Sequence, residues 1–477
     1  MADLDDFTAW FEQNNGFIDK EYMGFTVFSP EEGGRGAVAL KDIPEGHTLF
    51  TIPRTLTLST RTSELPHAFG LEAWKSANLH QGWAGLILCM MWEEAKGQAS
   101  KWGPYLASLP SRFDTPVFWS DEDLTLLEGT TVVGKLGRED AERTYNEIIV
   151  PALQSHPELF SAEAAEKYYT LTQYHLMGSR ILSRSFDVER WEGEGDDEEN
   201  EAANTSRDMD VDEPEPQGEA APASAEDAVE EEEEEDPSDV AMVPVADLLN
   251  ARFECENAKL FYEEKVLKMI STKPIKAGEQ IWNTYGDLPN SELLRRYGHV
   301  DLLPLPNGKK GNPGDVVELP ANIVAAVVTE KLGTSQATAE ERIDWWLEEG
   351  GDDVYVLDND LEIPPTLASF AKLIGLSPED WKKAKGKGKP PKAIMDQSMV
   401  EILREVLRRR LQQYPTSEVE DEKALEGELP LNARHATVVR LGEKRILSGI
   451  LSNLKDVTKR KRDEEERSGQ KGKKSRK

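Results

Sequence analysis

The chain is poor in the residues that usually announce a metal site or a nucleophile. It has two cysteines, Cys89 and Cys255, far apart in its 477 residues. Two are too few for a disulfide framework or a cysteine-rich zinc site, and they suggest a reducing compartment. Both read as small buried hydrophobes. The seven histidines are scattered, and no His-x-x-x-His pair occurs among them. There is no Walker loop and no Gly-x-Ser-x-Gly elbow. Metal-assisted hydrolysis and Cys/His nucleophilic catalysis are therefore poorly supported, and no metal is expected. No apolar run is long enough to span a bilayer, so no membrane partner is expected. The opening MADLDDFTAW is acidic and lacks an apolar h-region, so no secretory signal is expected either.

Positive charge is scarce too: 56 Lys and Arg face 90 Asp and Glu, a formal net charge of −34. This acidity is local. Between Glu192 and Asp239 stand 23 acidic residues and one Arg, a net of −22, which leaves −12 for everything else. That segment has no aromatic residue and almost no large aliphatic. It cannot bury enough surface to offset its ordering entropy, and it is expected to be a disordered insertion.

With 38% hydrophobic and 31% charged residues, the remainder reads as globular. "GRGAVALKDIPEGHTLFTIPRTLTLST" is β-branched and alternating, and predicts short strands broken at Gly33-Gly34 and Pro44-Glu45-Gly46. The next hundred residues are helical in pattern. "AGLILCMMWEEAKG" has a wide apolar face and a terminal Gly. "SAEAAEKYYTLTQYHLMGSRILSRSF" predicts a loop start and then a long helix running toward Phe186. After the acidic segment, "MVPVADLLN", "AKLFYEE" and "VLKMISTKPIKAGEQIWNTYG" return to short strands and turns. From Leu302 onward helical periodicity dominates, punctuated by Pro, Gly and Ser/Asp. The expected division is a first domain over 1–300 with a helical insert over about 61–180, a helical second domain over 302–455, and a basic disordered tail over 456–477.

Three stretches stand out as candidates for chemistry. "GGRGAVA" at Gly33 to Ala39 places glycines where backbone must turn tightly or approach a ligand; alone it is equally a simple turn, and it lacks the βαβ context of a dinucleotide fingerprint. In "ADLLNA", Asp247 and Asn250 interrupt an apolar run. A buried amide must satisfy its donors and acceptor, and a turn-capping Asn would do so as well as a ligand-facing one. "NTYGDLPNSELLRRYGH" adds Tyr285 and Tyr297, each followed by Gly; either could equally be a core aromatic.

The order of these pieces resembles the SET-domain lysine methyltransferases. Gly-rich turn, helical insert, "SRSF", "VPVADLLNA" and "KAGEQIWNTYGDLPNSELLRRYGH" follow one another as in the subclass related to the Rubisco large-subunit methyltransferase, and in detail as in the fungal ribosomal-protein lysine methyltransferases. "VVRLGEKRIL" adds to the match, which runs from about Phe7 to Leu454 outside the acidic insertion. The resemblance implies an α+β fold: a SET domain of small β-sheets with a knot-like C-terminal segment and helical insert, plus a mostly helical substrate-binding domain. It implies S-adenosylmethionine (AdoMet) as cofactor. Carried over residue by residue, Gly33, Gly34, Arg35, Gly36, Arg184, Asp247, Asn250, Ala251 and Tyr297 would bind cofactor, Ser185 and Trp102 would face substrate, and Tyr285 would be the catalytic tyrosine. Many SET enzymes have Asn-His where this chain has Asn250-Ala251, so any contact from position 251 must come from backbone. The post-SET cysteine cluster of histone-type enzymes is also missing.

The substrate so implied is a protein with a target lysine, a basic ribosomal protein by the subgroup, and a monomeric enzyme is expected. Direct nucleic-acid binding is not expected, because the folded part stays negative. The tail "KRKR…KGKKSRK" reads as a nuclear import signal, placing the protein in the nucleus and possibly the cytoplasm; a merely solvated basic tail is the bland alternative. Two rivals remain: an inactive SET-fold binding module, and an acidic nuclear interaction protein whose working part is the acidic tract.

Overall fold

The computed structural model describes residues 2–29, 33–190, 238–306 and 308–474; for residues 2, 3, 238 and 455–474 it describes backbone alone. The expected disorder of the acidic insertion therefore falls almost wholly on 192–237, outside the described residues. The chain forms two compact units, one of Met1–Phe113 with Gly137–Gly286, the other of Asp114–Leu136 with Asp287–Lys477.

The first unit is built on short antiparallel strands: β1 (Phe17–Ile18), β2 (Met23–Val27), β3 (Arg35–Ala39), β4 (Thr48–Pro53), β5 (Ser185–Glu189), β6 (Ser238–Met242), β7 (Ala258–Tyr262), β8 (Val266–Ser271) and β9 (Gln280–Ile281). One sheet has the order β1-β4-β8-β7, a second β2-β3-β9, and β5 pairs with β6. The alternation read from sequence is visible in β8, where Leu267, Met269 and Ser271 are buried between half-buried Val266, Lys268 and Ile270. The helix Ala84–Lys96 buries residues all round its first two turns, and Gly97 stops it at φ 55°. It packs on the helix Leu171–Arg184.

The long helix expected toward Phe186 is Leu171–Arg184, and the loop expected at its start holds a separate short helix, Ala162–Tyr168. Thr170 divides the two: its backbone is extended and its hydroxyl accepts the Gln173 N–H, capping the longer helix. Ser185 and Phe186 then begin β5 rather than ending a helix. The ordered chain also resumes earlier than expected. Ser238 and Asp239 lie in β6, and Glu189 is in register with Ser238, so the two ends of the acidic segment meet. Asp239 is held there by Arg190 at 3.1 Å and Arg61 at 3.2 Å.

The second unit is mostly helical around one small sheet, β12 (Val316–Pro320) paired with β13 (Val354–Asp358); two-residue strands β10 (Leu303–Pro304) and β11 (Lys310–Gly311) pair before it. Ser335, Ser377, Asp396 and Ser417 each cap a helix by accepting an N–H of its first turn. Residues 114–136, read from sequence as part of the first domain's insert, belong to this unit. Glu443 accepts the Thr131 N–H at 2.9 Å, and Asn432 donates to Asp123 at 3.0 Å. The last helix runs Leu431–Lys474. Backbone of the expected disordered tail is thus helical as far as Lys474; a helix already nucleated by packing at 436–454 extends at one hydrogen bond per residue.

Candidate active site

The site forms where two segments of the first unit cross. Ala246–Leu248 is a tight 3₁₀ turn entered through Val245 at φ 74°. Positive φ is costly for a β-branched side chain, of order 1–3 kcal/mol, and persists only where surrounding packing imposes it; Val245 is fully buried. Leaving this turn, Ala251 forms a parallel bridge with Asn283, and the Asn283 N–H donates to the Asn250 carbonyl at 2.9 Å. Two residues on, the Tyr285 hydroxyl donates to the Leu249 carbonyl at 3.0 Å. Asn257 locks the second segment from behind: it donates to the Gln280 carbonyl at 3.1 Å and accepts the Trp282 N–H at 2.8 Å. The "DLLN" and "NTYG" stretches are thereby joined.

Asn250 joins this crossing to the Gly-rich turn. Its side-chain NH₂ donates to the Arg35 carbonyl at 3.2 Å and to Gln280 Oε1 at 2.7 Å. Both amide hydrogens are spent inside the protein, which leaves the amide oxygen as acceptor. The approach is close enough to dictate glycine. A Cβ on Gly33 would lie 2.7 Å from Asn250 Cγ, and one on Gly36 would lie 2.6 Å from Asn250 Nδ2 and 2.5 Å from Gln280 Oε1. Gly34, at φ 69°, faces open space. Arg35 is tied to the neighbouring helix Gly103–Ser108 by a 2.9 Å bond to the Ser108 carbonyl.

Asp247 is the charged centre. It is 5% exposed, and Tyr105 donates to its Oδ2 at 3.0 Å. Its Oδ1 is buried with no hydrogen-bond partner among the described residues. Arg184 donates to the Asp247 main-chain carbonyl at 2.5 Å, while its own buried Nε is left without an acceptor. Burial pushes the Asp247 carboxyl up to about 6, against the opposing pull of Arg184, the Tyr105 hydroxyl and Arg35. Burial also pushes Tyr285 up to about 12, so at neutral pH it remains a phenol and a donor. A buried carboxylate oxygen without a hydrogen-bond partner is costly, and Asp247 carries that cost at the crossing.

The structure gathers Gly33, Gly34, Arg35, Gly36, Arg184, Asp247, Asn250, Ala251 and Tyr285 around this crossing. Ser185 follows Arg184 as the first residue of β5. Trp102 is 2% exposed and its indole N–H donates to the Leu56 carbonyl at 2.9 Å, a core position. Tyr297 stands in the second unit, ending a π-helical turn, Leu293–Tyr297, capped by Gly298 at φ 75°. Tyr105 and Gln280 escaped the sequence reading. Among the described residues, no group of three or more His, Cys, Asp or Glu could hold a metal ion.

Small antiparallel sheets beside two bridged segments, with a Gly-rich hairpin clamped by an asparagine, are the features of a SET-type fold. The SET domain family matches residues 34–286, more than half of the sequence, and the chain belongs to that family. A second family, "Rubisco LSMT substrate-binding", matches residues 333–447. Among curated proteins the chain is 33% identical over 328 residues to ribosomal lysine N-methyltransferase 4 of Saccharomyces cerevisiae, covering 68% of this chain and 60% of that protein. It is 29% identical over 276 residues to human N-lysine methyltransferase SETD6, covering 57% and 49%. The chain thus spans between half and two thirds of these relatives. The Schizosaccharomyces pombe ribosomal lysine N-methyltransferase 4 is 26% identical over 481 residues, with 95% and 96% covered. In fold, the chain is similar to the SET domain of LSMT bound to lysine and AdoHcy, with TM-score 0.65, 20% identity, and coverage of 96% and 92%.

Proposed function

We propose that the protein is an AdoMet-dependent protein-lysine N-methyltransferase that modifies a basic ribosomal protein in the nucleus. The observation that carries this reading is the Asn250 clamp, which holds the Gly-rich turn against the crossing that presents Tyr285. Membership of the SET family supports it, as do the lysine N-methyltransferase relatives and the similar LSMT structures, which are bound to AdoMet or to lysine and AdoHcy. The ribosomal substrate rests on the two yeast relatives. The nuclear location rests on the basic tail.

The residues fit the cofactor. AdoMet carries an ammonium and a sulfonium, and the site offers the Asp247 Oδ1 and Asn250 Oδ1 acceptors beside an open Gly34 turn. Gly33, Gly34, Arg35, Gly36, Arg184, Asp247, Asn250 and the backbone at Ala251 would hold it. AdoMet supplies an electrophilic methyl group when bound. The protein's part is to present the target amine neutral and in line. Free lysine titrates near ~10.4, and a desolvated, cation-bearing site lowers that value. Tyr285, kept as a phenol and fixed on the Leu249 carbonyl, orients the amine, with backbone carbonyls making weak C–H···O contacts. Rate enhancement then comes from positioning and exclusion of water, with no covalent enzyme intermediate.

Calorimetric titration with AdoMet and S-adenosylhomocysteine, beside Asn250→Ala, tests this directly. Stoichiometric binding by the wild type, lost in the variant, is expected. Absence of binding by folded wild type would favour the inactive-module reading.

A further inference from the structure

Tyr105 has no role in the reading above, yet its hydroxyl is the hydrogen-bond donor to the Asp247 carboxylate. It is 1% exposed and sits in the helix Gly103–Ser108, whose last residue also receives Arg35. Its ring is clamped from one side by the N-terminal helix Ala2–Gln13. Phe7 packs on it at 5.9 Å between centroids, and Trp10 stacks on it at 6.4 Å with planes 8° apart. Trp10 is itself pinned by a 2.9 Å bond from its indole N–H to the Lys101 carbonyl. Aromatic stacking of this kind fixes ring orientation, and a Tyr so fixed has one direction for its O–H. That direction is Asp247 Oδ2; Oδ1 is buried and makes no hydrogen bond among the described residues.

We propose that Tyr105 is a positioning residue of the site: its hydroxyl orients the Asp247 carboxylate, and the N-terminal helix, which precedes the family match, orients Tyr105. The proposal rests on the methyltransferase reading. The charged and titratable groups that act on Asp247 are Arg184, Arg35, Tyr105 and Tyr285; Arg180 acts on Tyr105. Among them, the Tyr105 hydroxyl and the two arginines favour the ionised carboxylate against burial. Removing the hydroxyl alone therefore makes Asp247 easier to protonate.

The test uses full-length Tyr105→Phe, which keeps the ring and its stacking. AdoMet affinity and transfer of methyl groups into a purified ribosomal-protein fraction are followed from pH 5 to 8, in wild type, Tyr105→Phe, Asp247→Asn and the double variant. Wild-type transfer should fall on an acid limb near the Asp247 value. In Tyr105→Phe that limb should move up by about one pH unit, the size of one hydrogen bond to a charged acceptor, so the loss is larger at pH 6 than at pH 8. In the Asp247→Asn background Tyr105→Phe should add nothing. An unmoved limb, or an equal loss in both backgrounds, means Tyr105 is only core packing. A wild type that neither binds AdoMet nor transfers methyl removes the underlying reading, and this proposal with it.

Discussion

Two buried carboxylate sites, one in each unit, differ in their counter-charge. In the second, Asp421 is 1% exposed and is faced by Arg440 at 3.2 Å and by Lys444. Glu443 is 2% exposed and is met by the Tyr414 hydroxyl at 2.6 Å, the Thr131 N–H and Arg410. These carboxylates are answered from within the protein. In the first unit, Asp247 keeps one oxygen unanswered and Arg184 one nitrogen. Closed networks hold a structure together, whereas an open one is destabilising until something fills it.

Substitutions sharpen this contrast. Asp421→Asn leaves two buried cations short of their counter-charge, and a loss of about 3–5 kcal/mol in denaturant unfolding is expected. Asp247→Asn should do the reverse: burial already disfavours its charge, so stability should hold or rise by about 1 kcal/mol, while methyl transfer falls at least about tenfold. Equal destabilisation by both would erase the distinction between the two sites.

Gly33→Ala places a methyl group against Asn250 at a backbone φ of 93°. A cost of about 1–3 kcal/mol and weaker AdoMet binding are expected, read by thermal unfolding and calorimetry. The pH response should split too. Burial raises both Glu443 and Asp315 to about 7, above ordinary carboxylates. The folded state then binds protons more tightly than the unfolded one, so these two groups make stability fall as pH rises through about 7. His435, lowered to about 4 by burial, acts oppositely: its contribution is present above its unfolded value near 6.5 and is lost as pH falls toward 4. Two carboxylates outweigh one histidine over the shared window, so the net contribution of these groups should fall from pH 5 to about pH 7 and level off above it; unfolding followed from pH 5 to 9 checks this, and a rise in stability from pH 5 to 7 would contradict it. The smallest effect is expected from replacing 192–237 by a short turn. Glu189 and Ser238 are already paired, and loop closure changes by only about 0.6 kcal/mol per halving of length. A large loss of stability would mean the acidic segment is part of the fold.

Much of the site was legible because its residues break local rules. Glycines in a strand-rich stretch, polar residues inside "VPVADLLN" and Tyr-Gly after a turn are anomalies visible in sequence. Tyr105 and Gln280 break no rule. "GPYL" reads as an ordinary helical turn, and the Tyr105 partner is 142 residues away; Gln280 finds Asn250 across 30 residues. The short helix Ala162–Tyr168 was missed because it fully buries no residue and carries little apolar periodicity. Residues 114–136 were misplaced because contacts such as Thr131 with Glu443 span 312 positions and leave no local trace.

The most direct measurement is mass spectrometry of a ribosomal-protein fraction incubated with AdoMet and either wild type or Tyr285→Phe. The account predicts a protein that gains one or more methyl masses at a lysine with the wild type, and a yield at least about a hundredfold lower with folded Tyr285→Phe. Equal methylation by both would remove Tyr285 from the mechanism, and no methylation by a wild type that binds AdoMet would contradict the proposed substrate.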